Sequence, residues 1–268
     1  LTSWGRRSRF AGSKDRAAVR DHVFQALRCR RSYACLGGAL SGRGLMLGGL
    51  RAAGVAPGSV FTGRGHAPAE LQPDEIKAGA APEAEGDRLD LPDWLVPLFH
   101  EALGEEAETA AEALKARAPV CLRVNLRMNS VPQAIEKLAS FGIEVRQSPL
   151  AEEAVIVTEG ARKVAQTALY VEGGIELQDA ASQAAMAALQ VAPGARVLDY
   201  CAGGGGKTLA LAARQDARWF AHDADPRRMA DLPARAARAG VAVTRIQDPA
   251  LRSEERRVGQ AGRARWPA

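Results

Sequence analysis

A glycine-rich turn between an apolar stretch and a helical one constrains the fold of this chain more than any other feature. Residues 196–200 predict a buried strand that runs into Gly203–Gly206, and Lys207–Arg214 predicts a helix that starts at once. The glycines permit a sharp turn and a close approach of the backbone to a ligand. The start of the helix offers unpaired N–H groups at its positive dipole end. We therefore expect a polar or anionic ligand at this turn.

The alternation of strands and helices continues after the turn. Residues 218–222 predict a strand, 226–239 a helix and 241–246 another strand. This order is typical of the beginning of a doubly wound parallel sheet, an α/β fold. Because such a sheet needs more than three strands, we expect residues 191–251 to hold its first half and the sheet to be incomplete at the C-terminus. Residues 252–268 show no periodicity, and we expect an artefactual or disordered tail, the alternative being a diverged basic tail.

Two other regions precede the parallel sheet. Residues 119–190 predict a small α+β module, because short β-rich stretches alternate there with helical ones. Residues 1–118 predict a helical domain, with a linker rich in Gly, Pro, Ala and Glu near 54–92. In the module we expect strands at 120–125, 142–146, 154–158 and 175–178, and helices at 131–141 and 179–190. In the helical domain we expect helices at 14–31, 45–50, 92–103 and 105–117, with Ser13 as the N-cap of the first.

Charge is distributed unevenly within the helical domain. Residues 1–51 carry a net charge of +9, whereas residues 52–118 carry −8. A basic helical segment is typical of phosphate-backbone binding, but the solvated face of a basic helix has the same composition. The pattern alone leaves both interpretations open.

The composition favours a globular protein and argues against several classes. The hydrophobic residues, 47% of the chain, are enough to build cores. No membrane-spanning run or signal-peptide pattern occurs, so a cytoplasmic location is the default prediction. The four cysteines and four histidines lack the close paired spacing of zinc ligands, and we predict neither a metal site nor a disulfide framework.

Three kinds of ligand-binding loop share the strand–glycine–helix architecture. A phosphate-binding loop of the form GxxxxGK(S/T) needs glycine at position 201, where this chain has Cys201; ATP is thus disfavoured but stays open. The dinucleotide pattern GxGxxG fails in both registers, at Thr208 and at Leu209. A methyl-donor loop pairs with an acidic residue at the end of the next strand, where Asp223 stands and could accept hydrogen bonds from ribose hydroxyls. Helix capping is the alternative role for Asp223, and we assign that role to Asp225.

The loop residues LDYCAGGGGKT, at 198–208, resemble LDLCAAPGGKT, the cofactor motif of the Sun/Fmu (RsmB-like) family of bacterial ribosomal RNA cytosine-5 methyltransferases. Two upstream segments are similar to the same family: LRVN at Leu122–Asn125, and the G-x-x-x-x-Q-D-x-x-S-Q segment at Gly174–Gln183. The resemblance covers about residues 119–246. It extends more loosely to the helical domain, which in this family binds RNA.

The resemblance implies a class I methyltransferase (Rossmann-like) parallel sheet that binds S-adenosylmethionine, and ribosomal RNA as the partner. Asp223 would hold the ribose. The cradle for the methionine part would be formed by Cys201, Ala202, Gly203, Gly204, Gly205, Gly206 and Lys207. Gly203 and Gly204 depart from the usual Ala-Pro, which implies a floppier loop with a greater ordering cost on binding.

The resemblance also implies where the catalytic cysteine belongs. Enzymes of this family attack carbon 6 of a flipped-out cytosine with a cysteine thiolate. The family's catalytic cysteines lie in two segments, after the fourth and the fifth strand of the sheet. Neither of these cysteine segments occurs in this chain. We therefore expect a chain truncated before its catalytic cysteines, assign no catalytic residue, and interpret Cys201 as part of the cofactor loop. We also expect a monomer without a metal. A non-catalytic RNA-binding protein with a vestigial cofactor fold, or less favourably an ATPase, is the alternative.

Overall fold

The computed structural model describes residues 1–247, and the chain divides into two compact units, Leu1–Ala118 and a second that begins at Pro119. The predicted tail at 252–268 and the last residues of the predicted 191–251 region lie outside the described residues. The separation of 119–190 from 191–251 stays a prediction, since both ranges fall in the second unit. Within the described residues, no helix has both the length and the apolar character needed to cross a bilayer.

The first unit contains helices and no strand among its described residues. Its helices are α1 (Thr2–Arg7), α2 (Ser13–Arg28), α3 (Arg30–Gly37), α4 (Gly42–Ala52), α5 (Pro73–Lys77), α6 (Glu85–Leu89), α7 (Val96–Leu103) and α8 (Ala107–Lys115), with 3₁₀ turns at Pro57–Ser59 and Gly104–Glu106. The stretch near 54–92, which we predicted to be a linker, thus contains α5 and α6.

The predicted helix at 14–31 differs from the structure at both ends. Ser13 is the first helical residue and not the cap; Gly12 caps the helix, and its N–H donates to the Asp15 carboxylate at 2.9 Å. The helix ends at Arg28, and α3 begins a new direction after Cys29. The start of α3 is satisfied by Asp90, a residue distant in sequence, which explains why a local pattern did not reveal the break.

Helices α3 and α4 pack closely because glycines lie at their contact. A Cβ atom on Gly48 would overlap the main chain at Tyr33, and one on Gly37 would overlap the main chain at Gly44. Glycine here permits the two backbones to approach within a distance that any side chain would prevent. A separate apolar cluster, formed by Leu89, Leu91, Val96 and Ala111, joins α6, α7 and α8.

The second unit begins with a four-stranded antiparallel sheet in the order β2-β3-β1-β4. Its core consists of apolar side chains from the strands and from α9, among them Leu122, Val124, Leu138, Val155 and Ile175. The elements are β1 (Val120–Val124), α9 (Val131–Ser140), β2 (Glu144–Gln147), β3 (Ala154–Glu159), a 3₁₀ segment (Ala161–Gln166), α10 (Ala168–Val171), β4 (Ile175–Leu177) and α11 (Ala180–Ala187).

A three-stranded parallel sheet follows, in the order β5-β6-β7. Its elements are β5 (Arg196–Asp199), α12 (Gly206–Arg214), β6 (Arg218–Ala221), a 3₁₀ turn (Pro226–Met229), α13 (Leu232–Arg238) and β7 (Val243–Arg245). The alternation of parallel strands and helices predicted from the sequence is thus present. Whether the sheet is incomplete stays a prediction.

Two details of this sheet differ from the sequence prediction. The first strand, β5, is partly exposed and not buried, because it has a partner on one side alone among the described strands. The predicted helix at 226–239 is divided into the 3₁₀ turn and α13. Pro233 explains the division, because proline has no N–H to continue the helical hydrogen bonds and its ring clashes with the preceding turn.

Candidate functional site

The loop between β5 and α12 needs glycine at two positions. Gly203 and Gly205 adopt left-handed backbone conformations, with φ of 50° and 79°. Gly205 caps α12, and a Cβ atom there would overlap the side chain of Leu232 on α13. A Cβ atom on Gly203 would meet Arg228 Nη2 at 3.7 Å, an ordinary van der Waals contact. The loop is therefore closely packed against α13 at Gly205.

Asp223, at the end of β6, is joined directly to this loop. Its Oδ2 accepts a hydrogen bond from the main-chain N–H of Gly203 at 3.0 Å, and its Oδ1 accepts one from the N–H of Asp225 at 3.1 Å. The side chain is 3% exposed, and Arg228 Nη1 lies 3.4 Å from Oδ2. Arg228 Nη1 also donates to Oδ1, at 3.5 Å. Oδ2, which accepts one hydrogen bond, keeps a lone pair that can accept another from a ligand.

A cavity of about 320 Å³ opens beside Asp223, at the carboxyl ends of β6 and β7. This is the edge at which α/β sheets bind ligands. Its lining combines polar and apolar side chains: Asp223, Pro226, Met229, Arg245, Ile246 and Gln247. No role was predicted for Arg245, Ile246 or Gln247, because the end of a strand carries no local signal of what faces it.

The other predicted loop residues occupy different surroundings. Cys201 and Lys207 are exposed, whereas Ala202 is buried and its N–H donates to the carbonyl of His222 at 2.9 Å. Gly206 is the first residue of α12, whose initial N–H groups have no carbonyl one turn earlier to bond. Such groups can donate to a polar or anionic ligand.

Asp225 caps the 3₁₀ turn, as predicted. Its Oδ1 accepts the main-chain N–H of Arg227 at 3.1 Å, and the same carboxylate pairs with the Arg227 guanidinium at 2.9 Å. The hydrogen bonds from the side chain and main chain of Arg227 hold the pKa of the Asp225 carboxyl below its usual range. Asp225 is thus engaged locally, while Asp223 contacts the loop.

Three further residues near the loop escaped the sequence analysis. Asp199, the last residue of β5, accepts a hydrogen bond from the Thr208 hydroxyl at 2.8 Å, which ties the strand to the first turns of α12. The rings of Tyr200 and His222 lie 5.0 Å apart, and His222 Nδ1 lies 3.1 Å from the carbonyl oxygen of Ile246. These contacts connect the ends of all three parallel strands.

An ion-pair cluster holds the opposite side of the loop. Arg235 on α13 donates to the carbonyl of Gly204 and to Glu176 Oε2, the latter at 2.7 Å, while Arg238 donates to Glu176 Oε1 at 3.0 Å. Burial acts to raise the pKa of the Glu176 carboxyl, but the hydrogen bonds and charges of the two arginines outweigh it and lower that pKa overall. Glu176 therefore stays ionised beside its two partners.

No group of three or more His, Cys, Asp or Glu side chains is placed to hold a metal ion within residues 1–247. The thiols of Cys29 and Cys35 have raised pKa values, chiefly because of burial. All four cysteines are free.

Comparison with known proteins connects this chain to methyltransferases. The family model described as the ferredoxin-like domain of RsmF/B-like methyltransferases matches residues 91–165, starting within the first unit. "Ribosomal RNA small subunit methyltransferase B" of Pseudomonas syringae pv. tomato is 36% identical over 120 residues, which cover 45% of this chain and 27% of the relative. The protein of that name from Xanthomonas campestris pv. campestris is 33% identical over 147 residues, covering 54% and 33%. The chain thus spans a third or less of these relatives' length.

A solved structure gives the same indication. The protein described as a methyltransferase homolog from Pyrococcus horikoshii is similar to this chain with a TM-score of 0.55 and 29% sequence identity. The match covers 68% of this chain and 58% of that structure.

Proposed function

We propose that this chain is a member of the Sun/Fmu (RsmB-like) family of methyltransferases and that it acts in the S-adenosylmethionine-dependent methylation of carbon 5 of a cytosine in ribosomal RNA. The observation that carries the proposal is the position of Asp223. This carboxylate lies between the main chain of Gly203 and a cavity at the carboxyl ends of β6 and β7. Asp223 thus holds the glycine loop by a hydrogen bond and also lines a cavity large enough for a ligand.

The chemistry of the surrounding groups fits this cofactor. Asp223 would accept a hydrogen bond from a ribose hydroxyl through the remaining lone pair of Oδ2. Pro226, Met229 and Ile246 would offer apolar surface to the base. The first N–H groups of α12 would receive the charged amino-acid part. When bound, the cofactor supplies the methyl group, and the residues of this chain orient it.

We extend the proposal to the partner and location. Ribosomal RNA would bind the helical first unit, whose residues 1–51 carry a net charge of +9. The names of the curated relatives support a ribosomal substrate. A cytoplasmic location and a monomeric state belong to the same proposal. The target cytosine is not part of it.

Calorimetric titration of the full chain with S-adenosylhomocysteine, the demethylated product, tests the proposal. We expect saturable binding of that compound and none of ATP with Mg²⁺. Asp223→Asn should raise the dissociation constant about tenfold or more, because a hydrogen bond to a charged group contributes about 1.5–3 kcal/mol. Asp225→Asn, two residues away, is the matched control and should bind within about twofold of the unmodified chain.

The competing functions predict other results. RNA binding by a folded chain that ignores S-adenosylhomocysteine would favour a non-catalytic RNA-binding protein. Binding of ATP in place of that compound would favour an ATPase. Either result would overturn the proposal.

A further inference from the structure

The carbonyl of Gly206, in the first turn of α12, accepts hydrogen bonds from two side chains of the antiparallel half of the unit. Arg123 Nη1 on β1 donates to it at 2.8 Å, and Gln178 Nε2, just after β4, donates at 3.2 Å. Arg123 Nη1 also donates to Gln178 Oε1, so the three groups form a closed set. The LRVN segment, through Arg123, and the Gly174–Gln183 segment, through Gln178, therefore meet at the glycine-loop motif.

The period of the strands brings these side chains to one face. Arg123 and Glu176 are directly paired across β1 and β4, and Gln178 lies two residues beyond Glu176. On β1, the alternate residues Leu122 and Val124 enter the apolar core. One face of the sheet thus forms the apolar core with α9. The other face packs Cys121 and Ala154 against α11 and also carries Arg123, which reaches the parallel half.

Arg123 is a costly residue in this position. It is 2% exposed, and burial lowers the pKa of its guanidinium to about 10. Its Nε atom is buried and has no hydrogen-bond partner. Well-packed apolar residues often replace buried ion pairs without loss of stability, so stability alone is a poor reason for such a side chain. The hydrogen bonds that Arg123 donates to Gly206 and Gln178 offer a better reason.

The geometry of the peptide bond shows what those hydrogen bonds fix. The carbonyl of Gly206 and the N–H of Lys207 belong to one planar trans peptide and point in opposite directions. Holding the carbonyl from the antiparallel sheet therefore sets the direction of the Lys207 N–H, one of the unpaired donors that begin α12.

We propose that Arg123 and Gln178 are positioning residues that pre-order the glycine loop for its cofactor. The inference rests on the proposed function. Four consecutive glycines lose more conformational freedom on ordering than other residues would, and a loop already held by its carbonyls loses less of it when the ligand binds. The antiparallel module is thereby part of the cofactor site without touching the cofactor.

The decisive variant is Gln178→Glu in the full chain. Glutamate keeps an oxygen to accept from Arg123 and has the same length as glutamine, but it cannot donate to Gly206, so it removes one of the two positioning bonds. We expect the dissociation constant for S-adenosylhomocysteine to rise about tenfold, with the ligand-free melting temperature within a few degrees of the unmodified chain. Gln178→Met, of similar length and without a donor, should weaken binding in the same way.

Arg127→Met is the matched control. Arg127 Nη1 donates to the carbonyl of Ala212, near the other end of the same helix, at 3.2 Å. Its loss should leave the dissociation constant within about twofold. The Arg123→Lys variant should bind S-adenosylhomocysteine more tightly than Arg123→Met, because lysine keeps a hydrogen-bond donor at this position. Binding by Gln178→Glu within twofold of the unmodified chain would overturn the inference and leave the proposed function standing.

A second measurement separates the two proposals. The amide resonance of Lys207 in the ligand-free chain should shift in Gln178→Glu and stay in place in Arg127→Met. If the unmodified chain binds no S-adenosylhomocysteine, the proposed function fails, and an unshifted Lys207 amide then overturns the positioning role as well.

Discussion

The carboxylate of Asp223 accepts the main-chain N–H of Gly203 at 3.0 Å, so the end of β6 fixes the loop that follows β5. Its second oxygen accepts the N–H of Asp225 at 3.1 Å. A carboxylate can satisfy two such donors because both of its oxygens accept, whereas an amide has one accepting oxygen. Asp223 therefore has a structural role that exists before any ligand binds.

Because the Asp223 carboxylate accepts two main-chain N–H groups, we expect the Asp223→Asn substitution to lower the stability of the protein. We expect the second unit to lose about 1–3 kcal/mol, because one buried N–H is left without an acceptor. Urea denaturation without ligand, followed by hydrogen exchange of peptides from residues 119–247, measures the loss. Asp225→Asn should cost less than about 1 kcal/mol, since its ion pair is exposed to water. Equal costs for the two variants would contradict this account of Asp223.

Gly205→Ala tests the packing of the loop against α13. The substitution places a Cβ atom in a left-handed conformation, which costs about 1–2 kcal/mol, and against Leu232, where overpacking costs about 1–3 kcal/mol more. Gly194→Ala is the control: Gly194 has a similar φ of 72° but nothing within 4 Å of the added atom. In urea denaturation Gly205→Ala should be the more destabilising of the two. A larger loss for Gly194→Ala would show that the loop can yield.

The elements around the loop could be predicted because their signals are local. An apolar run, four glycines and a helical repeat give β5, the turn and α12 within a residue or two. Asp223 was found by its distance along the chain from the loop, which the strand–helix–strand unit fixes. One prediction in this region was wrong at Pro233, where a proline inside a helical pattern was overlooked.

The contacts that hold the loop could not be predicted from local patterns. Arg123 and Gln178 lie in recognised motifs, but their meeting point at Gly206 depends on how two sheets pack. The same is true of Arg235, whose partners Gly204 and Glu176 are far from it in sequence. A sequence shows which residues alternate on a strand; it does not show what lies across the interface.

The Glu176 cluster predicts a dependence of stability on pH. Burial opposes ionisation of this carboxyl, but hydrogen bonds from Arg235 and Arg238 lower its pKa overall. A carboxyl with a lowered folded-state pKa contributes stability above its unfolded value, about 4.3, and loses it as the pH falls through the folded value. Below about pH 4 the unmodified chain should therefore lose its advantage over Glu176→Gln.

Urea denaturation of both chains between pH 7 and pH 3 checks this prediction. At pH 7 we expect Glu176→Gln to cost about 1–3 kcal/mol, because two half-buried arginines lose their buried counter-charge. The exposed Glu172→Gln is the control and should change stability by less than about 0.5 kcal/mol. A Glu176→Gln difference that grows as the pH falls would contradict the assigned sign.

Asp90 joins α3 and α6 of the first unit, and we expect its replacement to destabilise that unit. It has a left-handed backbone at the end of α6, with φ of 56°. Its Oδ1 accepts the N–H groups of Arg31 and Ser32 at 2.8 and 2.9 Å, and its Oδ2 accepts the Ser32 hydroxyl at 2.6 Å. Its carboxylate therefore acts as the cap of α3, which has no side-chain cap of its own.

Asp90→Ala should destabilise the first unit by about 2–4 kcal/mol, because it removes the cap and places alanine in a strained conformation. Asp90→Asn should cost less, since asparagine tolerates that conformation and keeps one acceptor. Hydrogen exchange of peptides covering α3 measures both, and Asp93→Ala, whose largely exposed side chain pairs with Arg31, is the control and should cost less than about 1 kcal/mol. If Asp90→Ala left the protection of α3 unchanged, the helix would not depend on this cap, and its start would have to be held by packing against α4 alone.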